Sequence, residues 1–274
     1  RLLEVLIKEI RKPNGMILTT GPTGSGKTTT LYAFLKQIYK PDIKVVTIEN
    51  PIEYHLEGIV QTQAEAEKGY SFAEGLRSAL RQDPDVIMVG EIRDNETAAV
   101  AVNAALTGHL VLSTLHTNNA AGSFPRLLDL GINPKVVSSA LNVSIAQRLV
   151  RTLCPKCKKE VPLEGTNKET IEKVLANVPD PVYLEGVQRK HLWAAVGCSE
   201  CNNLGFKGRI GVYEAILIDA SIEKAVITNP SERDIREAAK GQKLLTLVED
   251  GVIKVLSGVT TLEELDRVVD LSNV

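Results

Sequence analysis

Short apolar runs recur through the first half of the chain, separated by stretches with the spacing of amphipathic helices. Each run is almost continuously apolar, which is typical of a strand buried on both faces of a sheet. The runs are Met16–Thr20, Lys44–Ile48, Val86–Val89 and Leu110–Thr114. Strands that alternate with helices in this way predict a mostly parallel sheet covered by helices, which is the α/β class.

The stretches between the runs predict the helices. After the first run, Leu31, Phe34, Leu35 and Ile38 recur at the spacing of one helical face. Further helices are expected at Arg1–Arg11, Thr28–Ile38, Ser71–Arg81, Asn95–Leu106, Ala120–Leu130 and from Pro134 to about Val150. After Gly211 the pattern predicts helices again, and two of them start with a capping sequence, at Ser231 and at Thr261.

Composition places the chain among soluble globular proteins. Hydrophobic residues make up 43% of its 274 residues and charged residues 24%. A chain of this length and hydrophobic content can bury a sizeable core. The formal net charge of −2 gives the whole chain no attraction to nucleic acid or anionic lipid. No run approaches the roughly 18 to 20 apolar residues of a membrane span, so a cytoplasmic protein is expected. Because the chain opens at Arg1 without an initiator Met, we expect a piece of a longer polypeptide.

The first chemical signal is the pattern G-x-x-x-x-G-K-[ST] between the first run and the helix after it. Its backbone N–H groups can surround a polyphosphate, its lysine can reach the β- and γ-phosphates, and its threonine hydroxyl can bind Mg²⁺. The strand before it and the helix after it are the context that this motif requires. The predicted nucleotide contacts are Gly21, Pro22, Thr23, Gly24, Ser25, Gly26, Lys27, Thr28 and Thr29, with Thr28 as the magnesium ligand.

Carboxylates follow two of the other apolar runs. Glu91 follows Val86–Val89 after a single glycine, where it can hold Mg²⁺ itself or through a water molecule. Glu49 and Glu53 follow Lys44–Ile48, and ligands of α/β sheets bind beyond the carboxyl ends of the strands. One of these two glutamates can orient or deprotonate an attacking water molecule, and the residues alone do not choose between them.

The four cysteines form two Cys-x-x-Cys pairs. They are Cys154, Cys157, Cys198 and Cys201, with a polar stretch between the pairs that we expect to be peripheral. Two such pairs in a cytoplasmic chain predict a tetrahedral Cys₄ zinc site, which leaves no position for substrate and is therefore structural. A thioredoxin-like redox pair is the alternative, although the expected strand–helix context is missing.

Taken together, four segments of the chain resemble the secretion ATPase superfamily of type II secretion and type IV pilus assembly. The resemblance extends from about residue 10 to residue 215, and the segments correspond to that family's Walker A, Asp box, Walker B and His box. They are Gly21–Thr28, Thr47–Glu53, Arg81–Asp94 and Gly108–Asn118. The tetracysteine element is similar to that of the assembly ATPases and unlike the retraction ATPases, which lack it.

The resemblance implies roles for individual residues. Glu53 would be the catalytic glutamate and Glu91 the Walker B acid, acting with Lys27. His109 and His116 would lie near the nucleotide. Family members are hexamers in which arginines reach the nucleotide of a neighbouring subunit, and the candidates here are Arg77, Arg81 and Arg93. One position departs from the family pattern, because Asn50 stands where an Asp is usual.

These observations lead to the expectation of an ATP-hydrolysing motor subunit with a RecA-like P-loop core. The core would occupy residues 1–150, the zinc element 151–211 and a helical region 212–274. ATP or ADP, Mg²⁺ and Zn²⁺ are the expected ligands. The motor would form a homo-hexamer in the cytoplasm and reach the inner membrane through a platform protein. The alternatives are a nucleic-acid motor, for which the chain offers few aromatic residues, and a nucleotide sensor that does not hydrolyse ATP.

Overall fold

The apolar runs of the sequence lie side by side in a largely parallel sheet of seven strands in the computed structural model, which describes residues 1–271. The sheet order is β3-β2-β4-β5-β1-β6-β9, and a separate pair of strands is formed by β7 and β8. The strands are β1 (Gly15–Thr20), β2 (Val45–Glu49), β3 (Val60–Gln63), β4 (Val86–Val89), β5 (Leu110–Leu115), β6 (Leu141–Leu153), β7 (Lys159–Pro162), β8 (His191–Ala194) and β9 (Phe206–Leu217).

Helices connect most of the strands, as the sequence predicted for an α/β protein. They are α1 (Leu2–Glu9), α2 (Lys27–Ile38), α3 (Phe72–Leu80), α4 (Asn95–Leu106), α5 (Ser123–Asp129), α6 (Pro134–Ala140), α7 (Gly165–Asn177), α8 (Ala220–Thr228), α9 (Glu232–Ala239), α10 (Leu247–Leu256) and α11 (Leu262–Asp266). The capping sequences at Ser231 and Thr261 do begin helices, because each hydroxyl accepts a hydrogen bond from the backbone N–H three residues later.

One compact unit contains most of the sheet and comprises residues 1–22, 27–146 and 215–242. Every residue of β1, β2, β4 and β5 is buried, which confirms that these strands are covered on both faces. The pairs β2–β4, β4–β5, β5–β1 and β1–β6 are all parallel. The carboxyl ends of β1, β2, β4 and β5 therefore meet along one edge of the sheet.

The helix predicted from Pro134 to about Val150 is wrong beyond its first two turns. α6 ends at Ala140, and the thirteen residues Leu141–Leu153 form β6, starting with the extended backbone angles of Leu141. Leu141 and residues 143–146 pair in parallel with β1, with a register shift at Asn142, and the segment is buried almost throughout. Because both faces of this strand are covered, its apolar residues show no strict alternation, and pairing with β1 decides the structure.

The second compact unit comprises residues 23–26 and 147–214 together with the described residues from 243 to 271. The division of the chain into segments 1–150, 151–211 and 212–274 stays a prediction. The expectation of helices directly after Gly211 is also wrong, since β9 continues to Leu217. Within the polar stretch between the cysteine pairs, β7 and β8 form an antiparallel pair, and α7, which lies between them in the chain, buries Ile171 and Val174.

A buried carboxylate ties together several segments of this second unit. Glu264 is 2% exposed and accepts hydrogen bonds from Arg151 Nε at 2.9 Å and Arg267 Nη2 at 2.7 Å. It also accepts from the Arg151 backbone N–H at 2.9 Å. Burial alone would raise the pKa of Glu264, but hydrogen bonds from Arg267 and Arg151 outweigh it and lower the pKa to about 2.

Candidate active site and cysteine cluster

The G-x-x-x-x-G-K-[ST] segment connects the end of β1 directly to the start of α2, as the motif requires. Gly24 and Gly26 have φ angles of +77° and +87°, a region that side-chain-bearing residues rarely occupy. A Cβ atom on Gly26 would also lie only 2.7 Å from Gln147 Nε2. The loop therefore depends on glycine for its backbone conformation and, at Gly26, for space.

The polar groups of the loop are suited to bind an anion. Lys27 Nζ donates to Gly21 O at 2.9 Å and to Pro22 O at 3.0 Å, which holds the ammonium group against the loop backbone. The Ser25 hydroxyl is buried and has no hydrogen-bond partner among the described residues, so an acceptor or donor from a ligand would satisfy it. Thr28 lies in the first turn of α2 and is half-buried, and Thr29 is exposed.

The structure brings Glu91, Arg93 and His116 together at the carboxyl ends of β4 and β5. Glu91 Oε2 lies 2.5 Å from Arg93 Nε and 3.4 Å from His116 Nε2. Glu91 is 9% exposed, whereas Arg93 and His116 are exposed. Glu91, which the sequence predicted as a Walker B acid, thus lies just beyond the carboxyl end of β4 and contacts Arg93 and His116.

Hydrogen bonds join this cluster to the residue before the phosphate loop. Thr20 is the last residue of β1, and its hydroxyl lies 2.6 Å from the Thr117 hydroxyl. The Thr117 backbone N–H also donates to Thr20 Oγ1 at 2.9 Å. Since Thr117 follows His116 and Thr20 precedes Gly21, the ends of β5 and β1 are fixed to each other at this edge.

The two glutamates after β2 have different environments. Glu49 is 2% exposed and accepts hydrogen bonds from Thr47 Oγ1 at 2.5 Å, from Gln61 Nε2 at 3.1 Å and from the Tyr32 hydroxyl. Glu53 is exposed, and within residues 1–271 its carboxylate makes no hydrogen bond or ion pair. Of the two, only Glu53 is accessible to a water molecule.

Two other predicted site residues, His109 and Arg81, are not brought to this edge. His109 precedes β5 and Arg81 ends α3 before β4, so both lie at the amino ends of the strands, opposite the phosphate loop. His109 Nδ1 lies 3.1 Å from Ala104 O. Arg77 pairs with Glu96 at 2.8 Å and Glu74 at 3.0 Å, and the hydrogen bond to Glu96 raises its pKa.

The sequence did not point to two contributors near the predicted residues. Gln147 lies in β6 and faces Gly26, but the helix predicted for this segment concealed it. Gln61 lies in β3, a strand whose four residues are too polar to stand out as an apolar run. A glutamine within a strand is too common a feature to have indicated either role.

The four cysteines form one cluster, as the two Cys-x-x-Cys pairs predicted. All four sulfur atoms lie within 4.8 Å of one another, and the Cys154–Cys198 and Cys157–Cys201 distances are 3.9 and 3.8 Å. A tetrahedron with Zn–S bonds of about 2.3 Å requires sulfur atoms about 3.8 Å apart, so the donor set fits such an ion. None of the four is in a disulfide.

Backbone N–H groups surround the Cys201 sulfur. Cys198 N and Gly205 N each donate to it at 3.2 Å. Burial acts to raise the pKa of Cys201, but these hydrogen bonds outweigh burial and lower the pKa to about 7. The loop thus stabilises the thiolate form that binds metals.

Within residues 1–271, no helix combines the length and apolarity that crossing a bilayer requires.

Comparisons with known proteins agree with this architecture. The chain is 48% identical over 264 residues to type II secretion system protein E of Aeromonas hydrophila, covering 96% of this chain and 50% of that protein. It is 46% identical over 256 residues to the type IV pilus assembly ATPase PilB of Thermus thermophilus, covering 93% of this chain and 28% of that protein. The chain therefore spans about half the length of the type II secretion relatives that it matches.

Solved structures give the same relationship. The pilus retraction motor PilT with bound ADP is similar with a TM-score of 0.68 and 28% identity, covering 97% of this chain and 64% of that one. The ATPase DotB of Legionella pneumophila is similar with a TM-score of 0.66 and 25% identity, covering 97% and 62%. A family model described as "Type II/IV secretion system protein" matches residues 2–267. The chain belongs to the type II/IV secretion system protein family.

Proposed function

We propose that this chain is the ATP-hydrolysing portion of a motor that drives protein secretion by a type II system or assembly of a type IV pilus. The observation that carries the proposal is the phosphate loop between β1 and α2, with Glu91 at the carboxyl end of β4. β5 lies between these two strands, and Thr117, just after β5, is hydrogen-bonded to Thr20 at the end of β1. Relatives named as ATPases and motors support the same activity.

Each residue at this edge of the sheet has a separate proposed role in ATP hydrolysis. The loop N–H groups and Lys27 bind the β- and γ-phosphates and neutralise the charge that develops during phosphoryl transfer. Thr28 and Glu91 are the residues that would hold Mg²⁺, either directly or through water, and the ion would neutralise phosphate charge. Glu53, whose carboxylate is exposed, orients the attacking water molecule and accepts its proton.

The proposed motor works as a homo-hexamer in the cytoplasm and passes its motion to an inner-membrane platform protein. Arg77 and Arg93 are already paired with carboxylates of their own chain, whereas Arg81 is exposed and makes no ion pair within residues 1–271. Arg81 is therefore the arginine that we assign to the nucleotide of a neighbouring subunit. Light scattering in the presence of a non-hydrolysable ATP analogue measures the molar mass and so tests whether the protein is a hexamer. A lower rate of ATP hydrolysis in Arg81→Gln would support the role of this arginine.

The cysteine cluster is proposed to hold one structural zinc ion. Three pairs of sulfur atoms lie 3.8 to 3.9 Å apart and all four sulfur atoms lie within 4.8 Å of one another, which supports this assignment together with the N–H groups around Cys201. Four thiolates close the coordination sphere, so the ion would stabilise the local fold and take no part in hydrolysis. A redox pair needs one exposed thiolate beside a partner thiol, and here four sulfur atoms share one cluster.

Steady-state hydrolysis of Mg²⁺-ATP tests the proposal, with Lys27→Ala as the critical variant and Lys40→Ala as its control. Lys40 is an exposed lysine just beyond the end of α2. We expect Lys27→Ala to lower turnover by several hundredfold or more and to weaken ATP binding, because it removes the loop's cation. Lys40→Ala should match the wild-type protein.

Each alternative gives a different result in the same assay. Hydrolysis that rises steeply with added polynucleotide would indicate a nucleic-acid motor. Tight ATP binding with negligible turnover, in the presence of the platform protein's cytoplasmic domain, would indicate a sensor. Equal turnover of Lys27→Ala and wild type would contradict an active site at the phosphate loop.

A further inference from the structure

The segment that carries Glu53 is an irregular loop, residues 50–59, between β2 and β3. Gln61 of β3 binds this loop with both ends of its side-chain amide. Its Oε1 accepts from the Leu56 backbone N–H at 2.7 Å, and its Nε2 donates to Tyr54 O at 3.3 Å. One side chain thus fixes the backbone immediately after Glu53.

The same amide group is anchored to a buried carboxylate. Gln61 Nε2 donates to Glu49 Oε1 at 3.1 Å, and Thr47 Oγ1 donates to the same oxygen at 2.5 Å. The other carboxylate oxygen, Oε2, accepts from the Tyr32 hydroxyl. Three side chains thus donate hydrogen bonds to the carboxyl group of Glu49, which holds it in place.

Tyr32 extends this network to the helix that follows the phosphate loop. It lies in α2, one turn after Thr28, and is completely buried. Its ring packs edge-on against that of Tyr54, with centroids 4.7 Å apart. Burial raises the pKa of Tyr32, and the hydrogen bond to Glu49 raises it further, so the hydroxyl stays protonated and remains a donor.

We infer that Tyr32 and Gln61, joined through Glu49, are positioning residues that hold the loop so that Glu53 is placed for hydrolysis. Glu49 then serves as the anchor and Glu53 as the base, which separates two glutamates that the sequence left undecided. Because Tyr32 comes from the helix that begins at Lys27, the network fixes Glu53 relative to the phosphate-binding helix. This inference rests on the proposed function, since positioning matters only if Glu53 takes part in hydrolysis.

Tyr32→Phe and Gln61→Ala test the network, with Tyr70→Phe as the matched control. The Tyr70 hydroxyl donates at 3.3 Å to Oγ1 of Thr62, which lies in β3 next to Gln61. Tyr70→Phe therefore also removes one tyrosine hydroxyl, but it leaves the 50–59 loop untouched. We expect kcat to fall roughly ten- to hundredfold in Tyr32→Phe and Gln61→Ala, because small displacements of a reacting group have effects of that size. KM for Mg²⁺-ATP should change less than about twofold, since the contacts that bind ATP in both the ground state and the transition state are unaffected.

A double-mutant cycle distinguishes positioning from a general loss of stability. In the Glu53→Gln background, Tyr32→Phe should lower the residual rate no further, because the group that it positions is already absent. Hydrogen exchange gives a readout independent of activity, and the Leu56 amide should exchange faster in Gln61→Ala than in Tyr70→Phe or wild type.

Several results would overturn the inference. The first is a kcat equal to that of the wild type in Tyr32→Phe and Gln61→Ala. The second is a loss of rate on Tyr32→Phe that is as large in the Glu53→Gln background as in the wild-type background. The third is an unchanged exchange rate of the Leu56 amide in Gln61→Ala. A wild-type protein that hydrolyses no ATP, or in which Lys27→Ala has no effect, overturns the proposed function and the positioning role with it. Hydrolysis that requires Lys27 but is unaffected by Tyr32→Phe and Gln61→Ala overturns the positioning role alone.

Discussion

Replacement of Glu264 by Gln should destabilise the second compact unit in a pH-dependent way. Glu264 is buried between Arg151 and Arg267 and accepts hydrogen bonds from both guanidinium groups. Glutamine keeps the shape and one acceptor oxygen but loses the charge. The effect should therefore come from the ion pairs and from little else.

The size of the effect follows from the pKa of Glu264. The lowering from 4.5 to about 2 corresponds to about 3 kcal/mol of stability at pH 7. Because the folded-state pKa lies below the unfolded-state value, this stability is present above pH 4.5 and is lost as the pH falls toward 2. Roughly a quarter of it should be gone at pH 4. Since glutamine retains some hydrogen bonding, we expect Glu264→Gln to cost about 1.5 to 3 kcal/mol at pH 7.

Urea denaturation followed by tryptophan fluorescence measures this difference, because the single Trp of the chain, Trp193, lies in the same unit. Glu263→Gln is the control, since Glu263 is an exposed neighbour on the same helical turn and loses the same charge. Other titrating groups are common to the proteins and cancel in the comparison. If Glu264→Gln were as stable as Glu263→Gln at pH 7, or if their gap were the same at pH 4, the buried ion pairs would not have the proposed energy.

Three further variants follow from the proposed site. Glu53→Gln should bind ATP like the wild type in an equilibrium assay but lower kcat by about a hundredfold or more, and retained turnover would rule out Glu53 as the base. Asn50→Asp should raise kcat several-fold, about 1 kcal/mol of barrier, if a carboxylate there helps to hold water at the metal. Equal kcat values would mean that Asn50 only shapes the turn before Pro51. Cys201→Ser should reduce bound zinc from about one ion per chain, measured by elemental analysis, and four freely titrating thiols in metal-free wild type would contradict the zinc site.

The core and most of the active-site edge could be predicted from sequence because local patterns determine them. The phosphate loop requires glycines at fixed positions, and the buried parallel strands need continuous apolar runs, so both leave clear signals. Glu91 follows such a run after one glycine. The cysteine pairs also carry their spacing in the sequence, and the structure places all four sulfur atoms together.

The remaining features depend on contacts between distant parts of the chain. β6 was predicted as a helix because Pro134 begins one and the residues after it are mostly apolar, yet pairing with β1 makes it a strand. The contact of Gln147 with the loop appears only once β6 lies beside β1. Glu49 and Glu53 are four residues apart and equally acidic, and only the partners Tyr32 and Gln61 distinguish them.

The open sheet has consequences for the solubility of the chain. A sheet that does not close presents an edge strand on each side, and an unpaired strand edge can template aggregation. One edge here is β3, whose four residues offer few backbone groups to another chain. The other is the longer β9, where the exposed Lys207 and Arg209 place like charges along the strand and Gly208 interrupts it at a φ of +87°. A second molecule that tried to extend the sheet at β9 would bring its own charges against these, so a short edge and a charged edge favour discrete particles over fibres.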